Sequence, residues 1–346
     1  MSTLRRIGLA AGGVLAALGA AGVVAETAHT RRRNRLRGDI DRLGSLRGEV
    51  RTVVADDGVA LHVEVDEPAQ SAPGAPTLVL AHGYALNLDC WHHQRAWARE
   101  AGIRTVLYDQ RSHGRSARSD ADNATIEQLG RDLARVIAET CPGPVVLAGH
   151  SMGGMTILAL AEERPELFGD TVVGVALVAT TAGGLNPGRV LAPFLPRDVS
   201  RQLAPRAVAA LSRVPAAVDI ARQRGTELGT RVVSRFAFGD AVDPAAAIFV
   251  DEMLAQTPFE VLAEFFDNFG RLDKFTVLES LAHVPTVIVA GTLDRLTSVG
   301  HSRKMAARLP TAELVECAGA GHMVILERPD EVNAALDRLL ARAGEQ

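Results

Sequence analysis

The residues best suited to chemistry occupy positions 149–153, which read Gly-His-Ser-Met-Gly. They directly follow one apolar run, Val145–Ala148, and lead into another, Met152–Ala161, so the pattern predicts a strand, a sharp turn and a helix. In so tight a turn, a side chain at either glycine would collide with neighbouring backbone. The turn would lift Ser151 out of the sheet at a helix N-terminus, where partial positive charge suits a developing oxyanion. The pattern predicts a nucleophilic serine; a chance occurrence in a glycine-rich chain is the alternative.

A serine hydroxyl is a poor nucleophile at neutral pH and needs a base within hydrogen-bond reach. Histidine suits this task, because its pKa lies near 6.5, and the chain has ten. His150 adjoins Ser151, but adjacent side chains in such a turn are expected to diverge. His92 and His93 should point apart on a helix, which argues against a metal pair. Solvated or capping roles are expected for the histidines that lack a surrounding constellation: His62, His113, His283 and His301.

With this serine turn, the stretch from about residue 50 to residue 340 resembles the α/β-hydrolase superfamily. His82-Gly83-Tyr84, after the apolar run Thr77–Ala81, is similar to that family's oxyanion-loop motif. The resemblance implies that the backbone N–H groups of Tyr84 and Met152 form an oxyanion hole, and that His82 braces the loop.

A second segment, residues 109–116, is similar to the family's turn D-x-R-G-x-G-x-S after its next strand. Ser112 stands where the family has glycine. Because this turn is interpreted as scaffold, the departure is expected to affect local geometry rather than chemistry.

The resemblance also implies a catalytic histidine and a carboxylate. His322 follows the last predicted strand, at the family's histidine position, and Asp294 follows the strand Thr286–Ala290, at its acid position. Ser151, Asp294 and His322 therefore occur in the chain order typical of this fold. The alternative interpretation of Asp294 is the N-cap of a helix over Leu296–Leu309.

The nature of the nucleophile narrows the implied function. Haloalkane dehalogenases and most epoxide hydrolases of this family use Asp where this chain has Ser151, which argues against both. The resemblance implies a hydrolase of carboxylic esters with apolar acyl groups, esterase- or lipase-like, working through an acyl-enzyme without metal or organic cofactor. Cofactor-free haloperoxidases and carbon–carbon bond hydrolases share the triad and remain alternatives. A ligand-binding or signalling module that retains the triad is a further alternative.

The elements that would position these side chains begin near residue 48. Short apolar runs alternate with helical stretches such as Thr125–Glu139, and Asp57-Gly58 predicts a hairpin between the first two runs. This pattern predicts an α/β fold, a mostly parallel sheet with helices on both faces. The predicted strands are Val50–Val54, Ala60–Val65, Thr77–Ala81, Arg104–Tyr108, Val145–Ala148, Val172–Ala179, Thr286–Ala290 and Ala312–Glu316.

Residues 185–278 interrupt this alternation and predict a helical lid inserted into a core formed by residues 48–184 and 279–346. Nine of the ten phenylalanines lie between residues 194 and 275, which favours an apolar substrate channel, although some must pack the lid on the core. The helical stretches expected in the lid are Val190–Leu195, Val208–Leu211, Val218–Arg222, Ala245–Leu254 and Val261–Asn268.

The charge and the cysteine content limit the possible partners and the redox compartment of the protein. The formal net charge is −4, but residues 1–37 hold seven Arg against one Glu, so the remainder is distinctly acidic. The acidic charge of this part of the chain argues against nucleic acid as a partner. Cys90, Cys141 and Cys317 are widely spaced and odd in number, which favours buried free thiols in a reducing compartment.

Residues 1–47 are expected to form an apolar segment followed by a basic linker. Ile7–Ala25 is free of charge and as a helix would span roughly 28 Å, about a bilayer core. The arginine-rich stretch after it favours a membrane anchor with the catalytic body in the cytoplasm. A signal peptide cleaved after Ala25, which would give a secreted protein, and a surface helix are the alternatives.

Overall fold

An eight-stranded sheet organises the part of the chain that the computed structural model describes. The described residues are 30–69, 74–186 and 233–345, together with positions 188, 206–208, 210, 211, 213, 215 and 219. The strands are β1 (Glu49–Val54), β2 (Ala60–Asp66), β3 (Thr77–Ala81), β4 (Thr105–Tyr108), β5 (Val145–His150), β6 (Val172–Val178), β7 (Thr286–Gly291) and β8 (Glu313–Cys317).

The order of the strands across the sheet is β1-β2-β4-β3-β5-β6-β7-β8. β2 pairs antiparallel with β1 and β4, and the remaining pairs are parallel. The predicted α/β fold and its mostly parallel sheet are therefore confirmed. The order of the inner strands places the ends of β3, β5, β6 and β7 side by side at one edge of the sheet.

Helices cover both faces of the sheet, as the continuous apolar strands require. They are α1 (His92–Glu100), α2 (Ile126–Thr140), α3 (Met152–Glu163), α4 (Pro244–Gln256), α5 (Phe259–Arg271), α6 (Val299–Arg308), α7 (Val324–Glu327) and α8 (Pro329–Ala343). Alternate residues of β3 enter different cores: Leu78 and Leu80 pack with α1 and α8, whereas Val79 and Ala81 pack with α2, α3 and α6.

The turn after β4 shows how the chain tolerates Ser112 in place of glycine. Ser112 adopts a φ of +64°, a left-handed conformation that costs a non-glycine residue about 1–2 kcal/mol. Its buried Oγ accepts a hydrogen bond from the backbone N–H of Ser119 at 3.0 Å. A glycine at position 112 would leave this N–H without that acceptor. The hydrogen bond offsets the backbone strain, since an unsatisfied buried N–H costs a similar amount.

The described part of the segment predicted to form the lid is largely helical: it contains α4, α5, a helical stretch at residues 233–237 and helical residues at 206–208, 210 and 211. α4 and α5 match the predicted helical stretches Ala245–Leu254 and Val261–Asn268, with ends one to three residues further out. The predicted helix Val190–Leu195 lies outside the described residues, as does Val218–Arg222 apart from residue 219. In the predicted helix Val208–Leu211, the described residues 208, 210 and 211 are helical. The boundaries of the lid remain a prediction.

The basic stretch is partly helical rather than a simple linker. Residues 30–42 form a helix whose Ile40 is buried in the core that also contains Phe249 of α4, and Arg33 pairs with Glu252 of α4 at 2.5 Å. Ile7–Ala25, the predicted anchor, lies outside the described residues. Within the described ranges, none of the helices combines the length and apolarity needed to cross a membrane.

Candidate active site

Ser151 lies in the sharp turn between β5 and α3, as predicted. Its φ of +52° and ψ of −114° are strained for a residue with a side chain. A Cβ at Gly149 would lie 2.4 Å from the carbonyl carbon of Gly153, and a Cβ at Gly153 would lie 2.1 Å from the carbonyl oxygen of Ala81. Both flanking glycines are therefore sterically required. Thr180 strengthens the turn by donating its hydroxyl to the Ser151 carbonyl at 2.6 Å.

His322 and Asp294 meet although 28 residues separate them. His322 Nδ1 donates to Asp294 Oδ2 at 2.9 Å, and both side chains are buried. Because Nδ1 carries this proton, Nε2 remains available as a proton acceptor. Ser151 and His322 line the same cavity, although among the described residues no hydrogen bond joins their side chains. Such contacts are often long until substrate binds.

Asp294 is not the N-cap of α6, which is Ser298, so its alternative interpretation is wrong. Its Oδ1 accepts hydrogen bonds from the backbone N–H groups of Leu296 at 2.7 Å and Thr297 at 2.9 Å. The helix itself, α6, begins only at Val299, so Asp294 closes the turn before it. One oxygen thus fixes the carboxylate to the backbone while the other faces His322.

Thr297 is a member of the site that the sequence analysis missed. Its buried hydroxyl lies 2.8 Å from Asp294 Oδ2, 2.7 Å from the Ala179 carbonyl oxygen and 3.3 Å from His322 Nδ1. It joins the ends of β6 and β7 beside the acid–histidine pair. A threonine three residues after a candidate acid is too common a pattern to mark this role.

The loop predicted to supply the oxyanion hole lies directly against the serine turn. A Cβ at Gly83 would lie 3.2 Å from Ser151 Cβ, which places residues 82–84 beside Ser151. Met152 is the first residue of α3, so its backbone N–H has no acceptor within the helix. The tyrosine hydroxyl of Tyr84 donates to the Leu262 carbonyl oxygen of α5 at 2.5 Å, which fastens the loop to the helix above it.

His82 braces this loop, as expected. Its Nδ1 donates to the Gly83 carbonyl oxygen at 2.7 Å, and its Nε2 accepts the backbone N–H of Gln110 at 2.9 Å. The Gln110 side chain in turn donates to the His82 carbonyl oxygen and accepts from Thr156 of α3. These bonds require the neutral imidazole, and burial lowers the pKa of His82 to about 3.

His150 and His113 are buried, contrary to what was expected of His113. His150 turns beneath the site and donates its Nε2 proton to the carbonyl oxygen of His322 at 2.9 Å, with the two rings 4.9 Å apart. His113 contacts the rings of Tyr84 and Phe265. Burial lowers the pKa of His150 to about 3 and that of His113 to about 4. Neither role could be read from sequence, since both depend on contacts between distant segments.

A cavity of about 350 Å³ opens at Ser151 and His322. This volume lies within the usual range of small-molecule sites. Among the described residues, no Asp, Glu, Lys or Arg side chain lines it. Its apolar walls include Tyr84, Met155, Val250, Leu254, Phe259, Leu262, Phe266 and Phe269. The apolar channel expected from the clustered phenylalanines is thus present, although Phe238 and Phe265 pack in the core instead.

The buried histidines predict how stability depends on pH. The unfolded chain takes up histidine protons near pH 6.5, whereas folded His82, His113 and His150 stay neutral to much lower pH. Between pH 6.5 and 5 the unfolded state therefore binds more protons, and each such group can remove up to about 1.4 kcal/mol of unfolding free energy per pH unit. Asp109, whose pKa burial raises to about 6, takes up its proton first in the folded state and partly offsets this loss.

The free energy of unfolding in urea should be measured at pH 7, 6 and 5. This free energy should fall as the pH is lowered. His113→Leu should reduce its slope against pH, because the histidine that it removes takes up a proton in this range only in the unfolded state. His283→Leu, at an exposed histidine, is the matched control and should leave the slope unchanged. An identical slope in His113→Leu and the native protein would contradict the conclusion that His113 stays neutral in the folded protein.

Known proteins share this architecture. The model of the Alpha/beta hydrolase family matches residues 78–335. The chain is 27% identical to esterase PIR7B of Oryza sativa over 269 residues, covering 73% of this chain and 91% of the esterase. It is 26% identical to epoxide hydrolase A of Mycobacterium tuberculosis over 333 residues, covering 82% and 95%. The crystal structure of the enol-lactonase from Burkholderia xenovorans superposes with a TM-score of 0.67 at 25% identity, covering 84% of this chain and all of that one.

These proteins are named for different reactions, and the superposition with the enol-lactonase extends over most of this chain. The family match extends over three quarters of the chain and includes Ser151, Asp294 and His322. The chain therefore belongs to the Alpha/beta hydrolase family and is a hydrolytic enzyme.

Proposed function

We propose that this protein hydrolyses carboxylic esters of apolar acyl groups, with Ser151 as nucleophile, His322 as base and Asp294 as the acid that orients it. The observation that carries the proposal is the cavity. It is walled by apolar side chains, and it meets a strained serine and a histidine already paired with a buried carboxylate. This combination suits attack on a neutral, weakly polar carbonyl compound.

The reaction follows from the proton positions. Ser151 Oγ bonds to the carbonyl carbon while its proton passes to His322 Nε2, and Asp294 stabilises the resulting imidazolium. The backbone N–H groups of Tyr84 and Met152 would bind the oxyanion. The tetrahedral intermediate collapses when His322 returns the proton to the leaving alkoxide, which releases the alcohol and leaves an acyl-serine. Water then attacks the acyl-serine by the same sequence, which frees the carboxylic acid and restores Ser151.

The cavity does not distinguish an esterase from the other enzymes that share the triad. A carbon–carbon bond hydrolase or a cofactor-free haloperoxidase would use the same serine, histidine and acid, and no contact in the described residues favours either over an esterase. A ligand-binding module would keep the cavity without turnover. Ester turnover separates this last alternative from the enzyme.

The triad predicts a graded loss of activity. Ser151→Ala should abolish labelling by a fluorophosphonate and lower kcat for p-nitrophenyl esters by about 10⁴- to 10⁶-fold. His322→Ala should cost about as much, and Asp294→Asn noticeably less, because Asp294 orients and stabilises the base without accepting the proton itself. Ser45→Ala, at an exposed serine, is the control. Labelling that persists in Ser151→Ala would place the nucleophile elsewhere.

The apolar walls predict discrimination by charge. Burying an unpaired carboxylate in such a cavity costs several kcal/mol. We therefore expect kcat/KM for the mono-p-nitrophenyl ester of adipic acid to lie at least about 100-fold below that of p-nitrophenyl hexanoate, which has the same leaving group and chain length. The methyl-capped adipate ester, which is polar but neutral, should recover most of the loss. Equal rates for the charged and neutral esters would mean that the acyl chain does not occupy this cavity.

We also propose that residues 7–25 attach the protein to a membrane with the active site on the cytoplasmic side. Support comes from the uncharged run and the arginines that follow it. Membrane fractionation should recover the full chain with the bilayer, and deletion of residues 1–29 should release it. This deletion retains the helix at residues 30–42, which packs on the core. A secreted form beginning at Glu26 on N-terminal sequencing would contradict the anchor, and proteolysis of the body in intact cells would contradict its orientation.

A further inference from the structure

A short segment that precedes α4, residues 235–240, lies against the loop that carries His322; we call this segment the strap. The backbone N–H of Met323 donates to the Ala237 carbonyl oxygen at 2.8 Å, and that of Asp240 donates to the Gly319 carbonyl oxygen at 3.0 Å. A Cβ at Gly239 would lie 1.9 Å from the Gly319 oxygen. The strap and the histidine loop are thus in direct backbone contact.

Glu327 links these two segments through a single carboxylate. Its Oε1 accepts the backbone N–H of Gly321 at 2.8 Å, and its Oε2 accepts that of Gly239 at 2.7 Å. Gly321 immediately precedes His322, so this bond fixes the Ala320–Gly321 peptide, one peptide unit before the histidine. Glu327 is half-buried in α7 and does not line the cavity.

The peptide on the other side of His322 is fixed by different groups. His150 donates to the His322 carbonyl oxygen, and the next N–H, that of Met323, bonds to Ala237 in the strap. The side chain of Ala237 is part of the cavity wall. The strap therefore contacts both the substrate cavity and the backbone that places the candidate base.

We propose that Glu327 is a positioning residue for the hydrolytic reaction. By holding the Gly321 and Gly239 N–H groups together, it fixes the His322 imidazole relative to Ser151 and Asp294 and ties that position to the wall of the cavity. The inference rests on the proposed function, in which His322 is the base. Misplacement of a reacting group by about 1 Å can cost about 100-fold in rate, so loss of this link should be measurable without any change in substrate contacts.

The test compares Glu327→Gln, which keeps one acceptor oxygen, with Glu327→Ala, which keeps none. The matched control is Glu316→Gln, which removes the same charge from a partly exposed glutamate of β8 that pairs with Arg303. Turnover of p-nitrophenyl hexanoate is normalised to active sites titrated with a fluorophosphonate, so that a smaller folded fraction does not affect kcat. We expect kcat per site to fall about tenfold in Glu327→Gln and further in Glu327→Ala, with KM within about twofold of the native value. Glu316→Gln should match the native protein.

A merely structural role would lower the number of titratable sites but leave kcat per site unchanged, and that outcome would overturn the proposal. A rise in KM with constant kcat would overturn it as well, because it would mean that Glu327 shapes the cavity rather than the base.

A second measurement keeps this test independent of the proposed function. The Nδ1 proton shared by His322 and Asp294 can be followed by NMR as a downfield imidazole resonance, and it should broaden or shift in both Glu327 variants but not in Glu316→Gln. Should the native protein lack ester turnover, the proposed function would fail, while a shifted resonance would still support positioning by Glu327. An unchanged resonance in both Glu327 variants would refute it.

Discussion

The arrangement of the site depends on the close approach of backbone segments at one edge of the sheet. The turn that carries Ser151 packs against the end of β3 with no room for a side chain at Gly153, and it can hold its strained φ only because that packing is fixed. The same crowding places residues 82–84, the candidate oxyanion loop, beside Ser151. Because interiors are close-packed, displacement of any of these segments would displace the others.

Electrostatics divides the interior into two kinds of region. Away from the cavity, buried cations are paired on both sides: Arg111 contacts Asp57 and Asp132. Near the cavity the buried groups are instead neutral imidazoles, and Asp294 is the carboxylate that reaches the site, held by backbone N–H groups and His322. An imidazolium formed there would be stabilised by Asp294, and the burial of both side chains strengthens this interaction.

The fold and the serine turn could be predicted because their signals are local, whereas Asp294 and His322 were implied by the resemblance to a known family. Parallel strands are continuous apolar runs, and a glycine-flanked serine between a strand and a helix is recognisable from a few residues. Thr297, His150 and Glu327 could not be predicted in the same way, because each acts through a backbone group that is distant in sequence or common in kind. His150 shows the difference: sequence adjacency to Ser151 suggested divergence, and its side chain indeed leaves the serine, but it ends beneath His322. The start of α6 was also misplaced, because Asp294 closes a separate turn before the helix.

The cavity joins two parts of the chain that are under different constraints. Its reactive end comes from the sheet edge, where the steric requirements of the serine turn leave little freedom. Its walls come largely from α4 and α5, which lie between β6 and β7 in the sequence and are joined to the core by bonds such as that of Tyr84 with Leu262 and that of Asn268 with Ala124. Residues in these walls can change size without disturbing the acid–histidine pair, so substrate choice can vary while the chemistry is kept. The described part of the wall carries no charged side chain and includes Phe259, Phe266 and Phe269, so it would favour the entry of apolar substrates.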